Sequence, residues 1–219
     1  MIDRSWAVVG RPDWKVSVTR DRTDAARPAT PELDVDTTAD DRTLVEACRG
    51  GRRDAFDVLV QRHQRQVYQL CYRFVGNHED ASDLSQDIFL RAYRGLRSFR
   101  GQSSLATWLY RIGVNVCLNR VSAKAPLEKI TEAIDDRQYI DTRSESPSDR
   151  LLKEERGARV RAAIAELPRR QRATLILRMY HEMSHQEIAD VLGSSVGTVK
   201  ANFFHALGNL KKQLGDDKF

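Results

Sequence analysis

The sequence has few of the residues that mark secreted, metal-binding or membrane-inserted proteins. Only three cysteines occur among 219 residues, and Cys48, Cys71 and Cys117 lie too far apart for the paired spacing of a zinc site. No apolar run approaches the ~20 residues of a membrane span, and the polar, charged N-terminus carries no secretory signal. We therefore expect a cytoplasmic protein with buried free thiols at Cys71 and Cys117, no metal, no cofactor and no membrane insertion.

Alternating strand patterns and internal repeats are also missing, whereas apolar residues recur at helical spacing along most of the chain. The sequence therefore predicts an all-α fold of two small helical domains, at 41–124 and 158–215, joined by a flexible linker at 125–157. Residues 1–40 show no sustained periodicity and are expected to be a disordered N-terminal extension. Two of the three tryptophans, Trp6 and Trp14, lie in that extension, which leaves a docking role open.

Positive charge is concentrated in the two expected domains. Residues 41–124 hold 14 basic and 8 acidic side chains, and residues 160–214 hold 8 and 4, whereas the segment 125–159 between them holds 7 and 9. Two basic domains on a tether suit a polyanion that is contacted at two places. Chance variation of a solvated surface is the alternative, so charge alone does not assign a function.

The first domain is expected to contain a long core helix followed by two helices with polar faces. The core helix is buried on the side of Leu59 and Phe74 and ends at Gly76-Asn77. The next helix carries Asp83, Gln86, Asp87 and Arg94 on its outer face. Spacing alone indicates a solvated face there. A later helix, capped near Ser103, aligns Trp108, Asn115 and Asn119 because seven and eleven residues are nearly whole turns. Aromatic stacking and amide hydrogen bonds suit unstacked bases, although Trp108 is equally compatible with a place in the core.

The second domain contains a predicted helix-turn-helix at residues 184–207. Ser184 and Glu187 have capping-box spacing, and Gly193 supplies the turn that a residue without Cβ adopts easily. Ser195 is the expected N-cap of a second helix, with Val196, Val199, Phe203 and Leu207 as its buried stripe. Such a unit lays its second helix in the DNA major groove, whereas the alternative is an ordinary helical hairpin of a bundle.

These motifs together resemble a known family. The runs 83–94, 99–101 and 107–115 are similar to the second region of bacterial extracytoplasmic-function (ECF) RNA polymerase sigma factors of the RpoE-like type. Leu167-Pro168, Gln171-Arg172 and the helix-turn-helix from Ser184 resemble their fourth region. Both resemblances occur in the family's order, over about 43–124 and 158–214.

The resemblance implies a promoter-specificity factor rather than an enzyme. The helix of Asp83 would dock on the β′ clamp helices of core RNA polymerase, and the segment 99–119 would melt the −10 element of the promoter. The second domain would read the −35 duplex and contact the β flap, and an anti-sigma factor is an expected partner. The residues so assigned are Asp83, Gln86 and Asp87 for core polymerase; Trp108, Arg111, Asn115 and Asn119 for the −10 DNA; and Ser195, Thr198, Lys200, Ala201, Asn202, Phe204 and His205 for the −35 DNA.

The predicted recognition helix departs from the family's usual pattern. Asn202, His205 and Leu207 stand where most relatives carry arginine, so phosphate attraction from this helix should be weaker. We expect base reading to rest on Lys200, Asn202, Phe204 and His205, with an apolar contact from Phe204 to a thymine methyl group.

Two other classes of function remain to be distinguished. A one-component helix-turn-helix regulator would also carry Ser184–Leu207, but it leaves the faces of Asp83 and Trp108 without a purpose. A nucleic-acid enzyme lacks support because no metal-ligand cluster, phosphate loop or nucleophile–base pair is visible in the sequence. Binding to core polymerase separates the sigma-factor interpretation from the regulator.

Overall fold

The computed structural model describes residues 38–123 and 147–215, and every regular element within these ranges is helical. The expected all-α fold is thus confirmed. Residues 1–37, with Trp6 and Trp14, and residues 124–146, which include most of the expected linker, lie outside the described residues. The helices are α1 (Asp41–Arg49), α2 (Arg53–Val75), α3 (His78–Gly95), α4 (Leu105–Ala123), α5 (Pro147–Ala165), α6 (Arg169–Tyr180), α7 (His185–Leu192) and α8 (Val196–Leu214), with a 3-10 turn at Leu96–Ser98.

A two-residue junction turns the chain between α2 and α3, as the sequence predicts. Gly76 takes a φ of 76° in the left-handed region, and its N–H donates to the carbonyl of Tyr72. The side chain of Asn77 then accepts a hydrogen bond from the backbone N–H of Asp80 at 2.7 Å and caps α3. Both termini therefore satisfy backbone groups that would otherwise lack intrahelical partners.

Helix α4 crosses α2 and α3 at a glycine. A Cβ atom at Gly113 would lie 2.7 Å from Cδ2 of Leu70 and 3.4 Å from Cδ1 of Ile88, so the close approach requires the missing side chain. Leu109 and Val116 are buried on the same side. Arg111, Asn115 and Asn119, three of the predicted −10 residues, are exposed on other sides of α4.

The helix-turn-helix forms as predicted from its capping residues. The hydroxyl of Ser184 accepts from the N–H of Glu187, whose carboxylate in turn accepts from the N–H of Ser184, which completes the capping box. Gly193 ends α7 with a φ of 58°, and Ser195 caps α8 through the N–H of Thr198. Each side-chain cap contributes about 1 kcal/mol to helix stability.

Two expectations about the second domain need correction or extension. Leu207 is wrong as a buried residue, because its side chain is 44% exposed. Val199 is buried as predicted, and Ala206 and Leu210 are buried in place of Leu207, since steps of seven and four residues keep one face of a helix towards the core. Helix α5 begins at Pro147, so residues 147–157 of the segment expected to be a linker are helical.

The two helical groups pack directly against each other. Helix α4 of the first group contacts α7 of the helix-turn-helix, and α2 contacts α6. The thiols of Cys71 and Cys117 are buried and free within the first group, as expected. The packing of α4 on α7 brings the two predicted DNA-binding units into contact.

Candidate nucleic-acid interface

The outer face of α3 combines acidic and apolar side chains. Asp83 and Gln86 are exposed, while Asp87 is partly buried and accepts from the guanidinium of Arg91 at 3.0 Å. This hydrogen bond raises the pKa of Arg91 above its ordinary value. Leu90 and Tyr93, each 45% exposed, extend the same face by steps of three and four residues. Sequence reasoning missed Leu90 and Tyr93, although their spacing from Gln86 and Asp87 was the available signal.

The predicted −10 residues on α4 lie in different environments. The ring of Trp108 is partly buried, with its centroid 5.1 Å from that of Phe99, so one side packs on the protein. Asn115 is exposed to solvent. Asn119 is also exposed, but its side-chain oxygen accepts from the guanidinium of Arg169 at 3.3 Å. The stripe therefore exists on α4, but its two ends contact the protein.

Arg111 has a partner in the other domain. Its guanidinium donates to the backbone carbonyl of Asp190 at 2.6 Å, in the last turn of α7. The C-terminal carbonyls of a helix lack intrahelical donors and carry partial negative charge, so a guanidinium stabilises them. Arg111 therefore caps a helix of the helix-turn-helix from outside that unit.

A second arginine makes the converse contact. The guanidinium of Arg172, in α6, donates to the carbonyl of Phe74 near the C-terminus of α2, and also to the carbonyl of Ala165 at 3.3 Å. Arg172 is buried, and this burial lowers the pKa of its guanidinium. Each domain thus supplies an arginine to the end of a helix in the other domain.

An aromatic contact also joins the two helical groups. The hydroxyl of Tyr110 and Nδ1 of His181 are 3.0 Å apart, and their ring centroids are 5.0 Å apart. The guanidinium of Arg73 lies 4.0 Å from the ring centroid of Tyr180, next to this pair. Burial, and secondarily the charge of Arg73, lowers the pKa of His181 to about 4, while burial raises the pKa of Tyr110 to about 12.

The predicted −35 face of α8 is open to solvent. Lys200, Ala201 and His205 are exposed, Asn202 is partly buried, and Phe204 is 74% exposed with its ring beside that of His205. Ser195 and Thr198 are exposed at the start of the helix, where their hydroxyls are 2.9 Å apart and Ser195 is used as the cap. An apolar ring at this exposure has no packing role in the described structure, which agrees with a role in contacting another molecule.

Two family models match this chain, one over each of the two helical groups. The model described as Sigma-70 region 2 matches residues 59–126, and the model described as Sigma-70, region 4, matches residues 157–210. The RNA polymerase sigma-H factor of Pseudomonas aeruginosa is 36% identical over 80% of this chain and 93% of its own length. The ECF RNA polymerase sigma-E factor of Escherichia coli is 36% identical over 76% of this chain and 90% of its own length. The chain belongs to the ECF family of RNA polymerase sigma factors. As an ECF sigma factor, it is an alternative sigma factor that directs core polymerase to promoters.

Other relatives and solved structures agree. The ECF factor SigW of Bacillus subtilis is 33% identical over 78% and 95%. The structure of CnrH in complex with the cytosolic domain of CnrY has a TM-score of 0.60 and 26% identity, covering 81% of this chain and 99% of CnrH.

Among the described helices of this ECF factor, none combines the length and apolarity that crossing a bilayer requires. Region 2 of the family contains α2, α3 and α4, and region 4 contains α6, α7 and α8. The resemblance noted from the sequence is therefore confirmed over both helical groups. The roles of individual side chains, and the domain boundaries, remain predictions.

Proposed function

We propose that three separate faces of this ECF sigma factor carry its three contacts. The outer face of α3, with Asp83, Gln86 and Asp87, binds the β′ clamp helices of core RNA polymerase. The outer face of α4 binds the −10 strand after melting, and the α8 face reads the −35 duplex. Region 4 also contacts the β flap. The polymerase supplies the chemistry, so this chain contributes recognition and no catalytic group, and it acts in the cytoplasm with its DNA.

The observation that carries this proposal is the exposed face of α8 in an intact helix-turn-helix. The first turns of α8 carry Lys200, Phe204 and His205, which are exposed, and Asn202, which is partly buried, in the part of a recognition helix that reaches base edges. Phe204 suits a thymine methyl group, and Lys200 suits guanine acceptors. Recognition therefore depends on a few specific contacts more than on phosphate attraction, because Lys200 is the only cationic side chain from Val196 to Leu207.

The α4 face supports capture of a melted strand. Flipping a base costs a few kcal/mol, which aromatic stacking and amide hydrogen bonds offset. Asn115 is exposed for such a contact, and Trp108 has one side against Phe99 and the other towards the surface. Arg111 lies one turn from Asn115 and suits the strand's phosphates.

An anti-sigma factor is the remaining proposed partner. A solved sigma factor with a similar fold, at 22% identity and a TM-score of 0.55, is described as RpoE in complex with the anti-sigma factor NepR from Bartonella quintana. That likeness shows the fold alone. The proposal for this chain therefore rests on its family, and co-purification with a candidate partner tests it.

Transcription with purified core polymerase tests the proposed function. The full chain and core polymerase are incubated with a genomic fragment library, and transcript 5′ ends define the −10 and −35 elements. We expect a small set of promoters. Binding of the chain to duplex DNA without polymerase, and no co-elution with core polymerase in gel filtration, would support the one-component regulator instead.

The α3 interface is tested by charge reversal. Replacing Asp83 and Asp87 with arginine should weaken core binding at least about tenfold, roughly 1.4 kcal/mol, because like charges replace attractive ones. The control variant replaces Glu155 and Glu182 with arginine, since both are exposed and lie away from α3, Glu155 in α5 and Glu182 in the loop between α6 and α7. Unchanged affinity of the Asp83/Asp87 variant would remove α3 from the interface.

A further inference from the structure

A cleft where α2, α5 and α6 meet is lined by three arginines. Arg73 comes from the last turn of α2, Arg161 from α5 and Arg172 from α6. The other lining residues are aromatic, aliphatic or glycine, and none of the eight is acidic. Three cationic side chains therefore converge on one cleft whose own lining offers them no carboxylate.

Two of these guanidiniums carry buried donors that lack an acceptor. The Nε–H groups of Arg161 and Arg172 are inaccessible to solvent, and neither has a hydrogen-bond partner within the part of the chain that the structure describes. The terminal nitrogens of Arg172 donate to the carbonyls of Phe74 and Ala165, so only its Nε–H is left over. Because an unsatisfied buried donor is costly, the two Nε–H groups need an acceptor that the lining residues do not supply.

The positive charge at the floor of the cleft is also uncompensated. Arg172 is only 5% exposed, and a buried charge in a protein is normally paired with an opposite one. Among residues 38–123 and 147–215, however, neither Arg161 nor Arg172 forms an ion pair. Burial accordingly lowers the pKa of the Arg172 guanidinium. An anion in the cleft would supply both the missing charge and the missing acceptors.

Aromatic contacts do not replace such an anion. Cζ of Arg73 lies 4.0 Å from the ring centroid of Tyr180, and Cζ of Arg172 lies 5.8 Å from that of Phe74. A ring attracts a cation that lies over its face, but the N–H groups of a guanidinium point outward in its own plane. These N–H groups therefore remain suited to the oxygens of an oxyanion, which arginine binds with good geometry.

The size of the cleft restricts the class of anion. Its cavity volume is about 20 Å³, which holds about one water molecule. A whole nucleotide is therefore too large for the cavity, whereas one oxygen of a tetrahedral oxyanion is not. The rest of such an ion would lie at the rim, where Arg73 and Arg161 are partly exposed and Tyr180 is 38% exposed.

We propose that this cleft is a binding site for a phosphate group, either as inorganic phosphate or as the terminal group of a small phosphate ester. The Nε–H groups of Arg161 and Arg172 donate to its oxygens, and Arg73 supplies a third positive charge at the rim. Hydrogen bonds between charged partners are among the strongest that proteins make. The cleft lies apart from the faces of α3, α4 and α8 that carry the proposed function, so the two proposals stand or fall separately.

Isothermal titration calorimetry on the full chain tests the proposal. One arm uses inorganic phosphate and the other uses glycerol phosphate, a small monoester. Chloride keeps the ionic strength constant, because screening alone would otherwise change any electrostatic binding. We expect saturable binding of one phosphate group per chain in at least one arm, and the arm that binds more tightly identifies the source of the group.

The variants separate this cleft from general charge. Arg161→Gln should weaken phosphate binding at least about tenfold, because a hydrogen bond to a charged group is lost. Arg161→Lys keeps the charge but not the planar fork, so it should recover only part of the affinity. The matched control is Arg156→Gln, which removes one charge from the same helix at an exposed position outside the cleft and should leave the affinity unchanged.

Two results would overturn the phosphate site. One is the lack of saturable binding to the wild-type chain in both arms. The other is an equal loss of affinity in Arg161→Gln and Arg156→Gln, which would show a response to net charge alone. Circular dichroism checks that each variant retains its helices, and Arg73→Gln, on a different helix, provides a second variant that should also weaken binding if Arg161→Gln does not fold.

Discussion

The outer faces of α4 and α8 are both proposed to bind DNA, but they differ in what they contact within the chain. Arg111 and Asn119 on α4 are bound to region 4, whereas Lys200 and Phe204 on α8 face solvent. The proposed DNA-binding face of α4 is thus covered by region 4 of the same chain, whereas that of α8 is accessible in the structure. The −35 face should therefore respond to substitutions directly, and the −10 face only once the domains have separated.

Substitution of Lys200 gives the largest expected effect on the open face. Lys200→Ala should cost about 1–3 kcal/mol of −35 recognition if the ammonium group contacts a base. Binding of the holoenzyme to promoter fragments, measured on native and scrambled −35 sequences, checks this. Equal affinities of wild type and variant on native DNA would mean that Lys200 does not read the −35 element. The contrast between an exposed DNA-binding face on α8 and a covered one on α4 would then fail.

Substitution of Asn115 addresses the covered face without disturbing the domain contact, because Asn115 is exposed. In the holoenzyme, Asn115→Ala should leave core binding unchanged and reduce open-complex formation about tenfold. Unpairing a base costs a few kcal/mol, and the variant lacks the amide contact that offsets part of this cost. Permanganate reactivity at the −10 element measures the effect. A pre-melted bubble template should restore part of the loss; a loss of −35 duplex binding instead would contradict the division between the two faces.

Acid should uncover the α4 face. In the structure, where His181 contacts Tyr110 of the other domain, burial and Arg73 lower the pKa of His181 to about 4, whereas in water it is about 6.5. The domain contact is therefore fully stabilised by the neutral His181 above pH 6.5 and loses this stabilisation as the pH falls towards 4. Tyr110 stays neutral throughout, since its pKa is raised to about 12.

The measurement is the radius of gyration of the free chain between pH 7 and 5, above the range in which most carboxylates titrate. We expect the radius to increase as the pH falls. His181→Gln should remove this dependence, and His78→Gln should not. A wild-type radius that is independent of pH in this window would show that His181 does not couple protonation to the domain contact.

The smallest expected effect concerns the missing arginines of α8. Asn202→Arg should strengthen binding to both native and scrambled duplexes and steepen the salt dependence by about one unit of slope, if it adds only a phosphate contact. Binding at several salt concentrations checks this. Lower activity at the native promoter would show instead that Asn202 itself reads a base.

Sequence reasoning succeeded where the determining residues are close together in the chain. The caps at Asn77, Ser184 and Ser195 and the turn at Gly193 depend on partners within three to five residues, and all form as expected. The recognition stripe failed at Leu207, because choosing between positions 206 and 207 requires knowing the rotation of α8 on its neighbours.

The contact between the domains left no readable signal in the sequence. Arg111 and its acceptor at Asp190 are 79 residues apart, and Arg172 and its acceptor at Phe74 are 98 apart. The acceptor in each case is a backbone carbonyl, which every residue type carries. The side chains alone therefore could not indicate that these arginines join the two regions.

The same backbone acceptors restrict how this protein can change over evolutionary time. No substitution at position 74 or 190 deletes a main-chain carbonyl, so the acceptor of each arginine contact cannot be removed by mutation. Only the arginine donors can be lost, and one of them, Arg111, is also proposed to serve transcription. A lineage that weakens the domain contact by losing Arg111 would also lose the proposed −10 contact of that residue. Arg172 has no proposed DNA contact, so the strength of the domain contact can change there without impairing promoter opening.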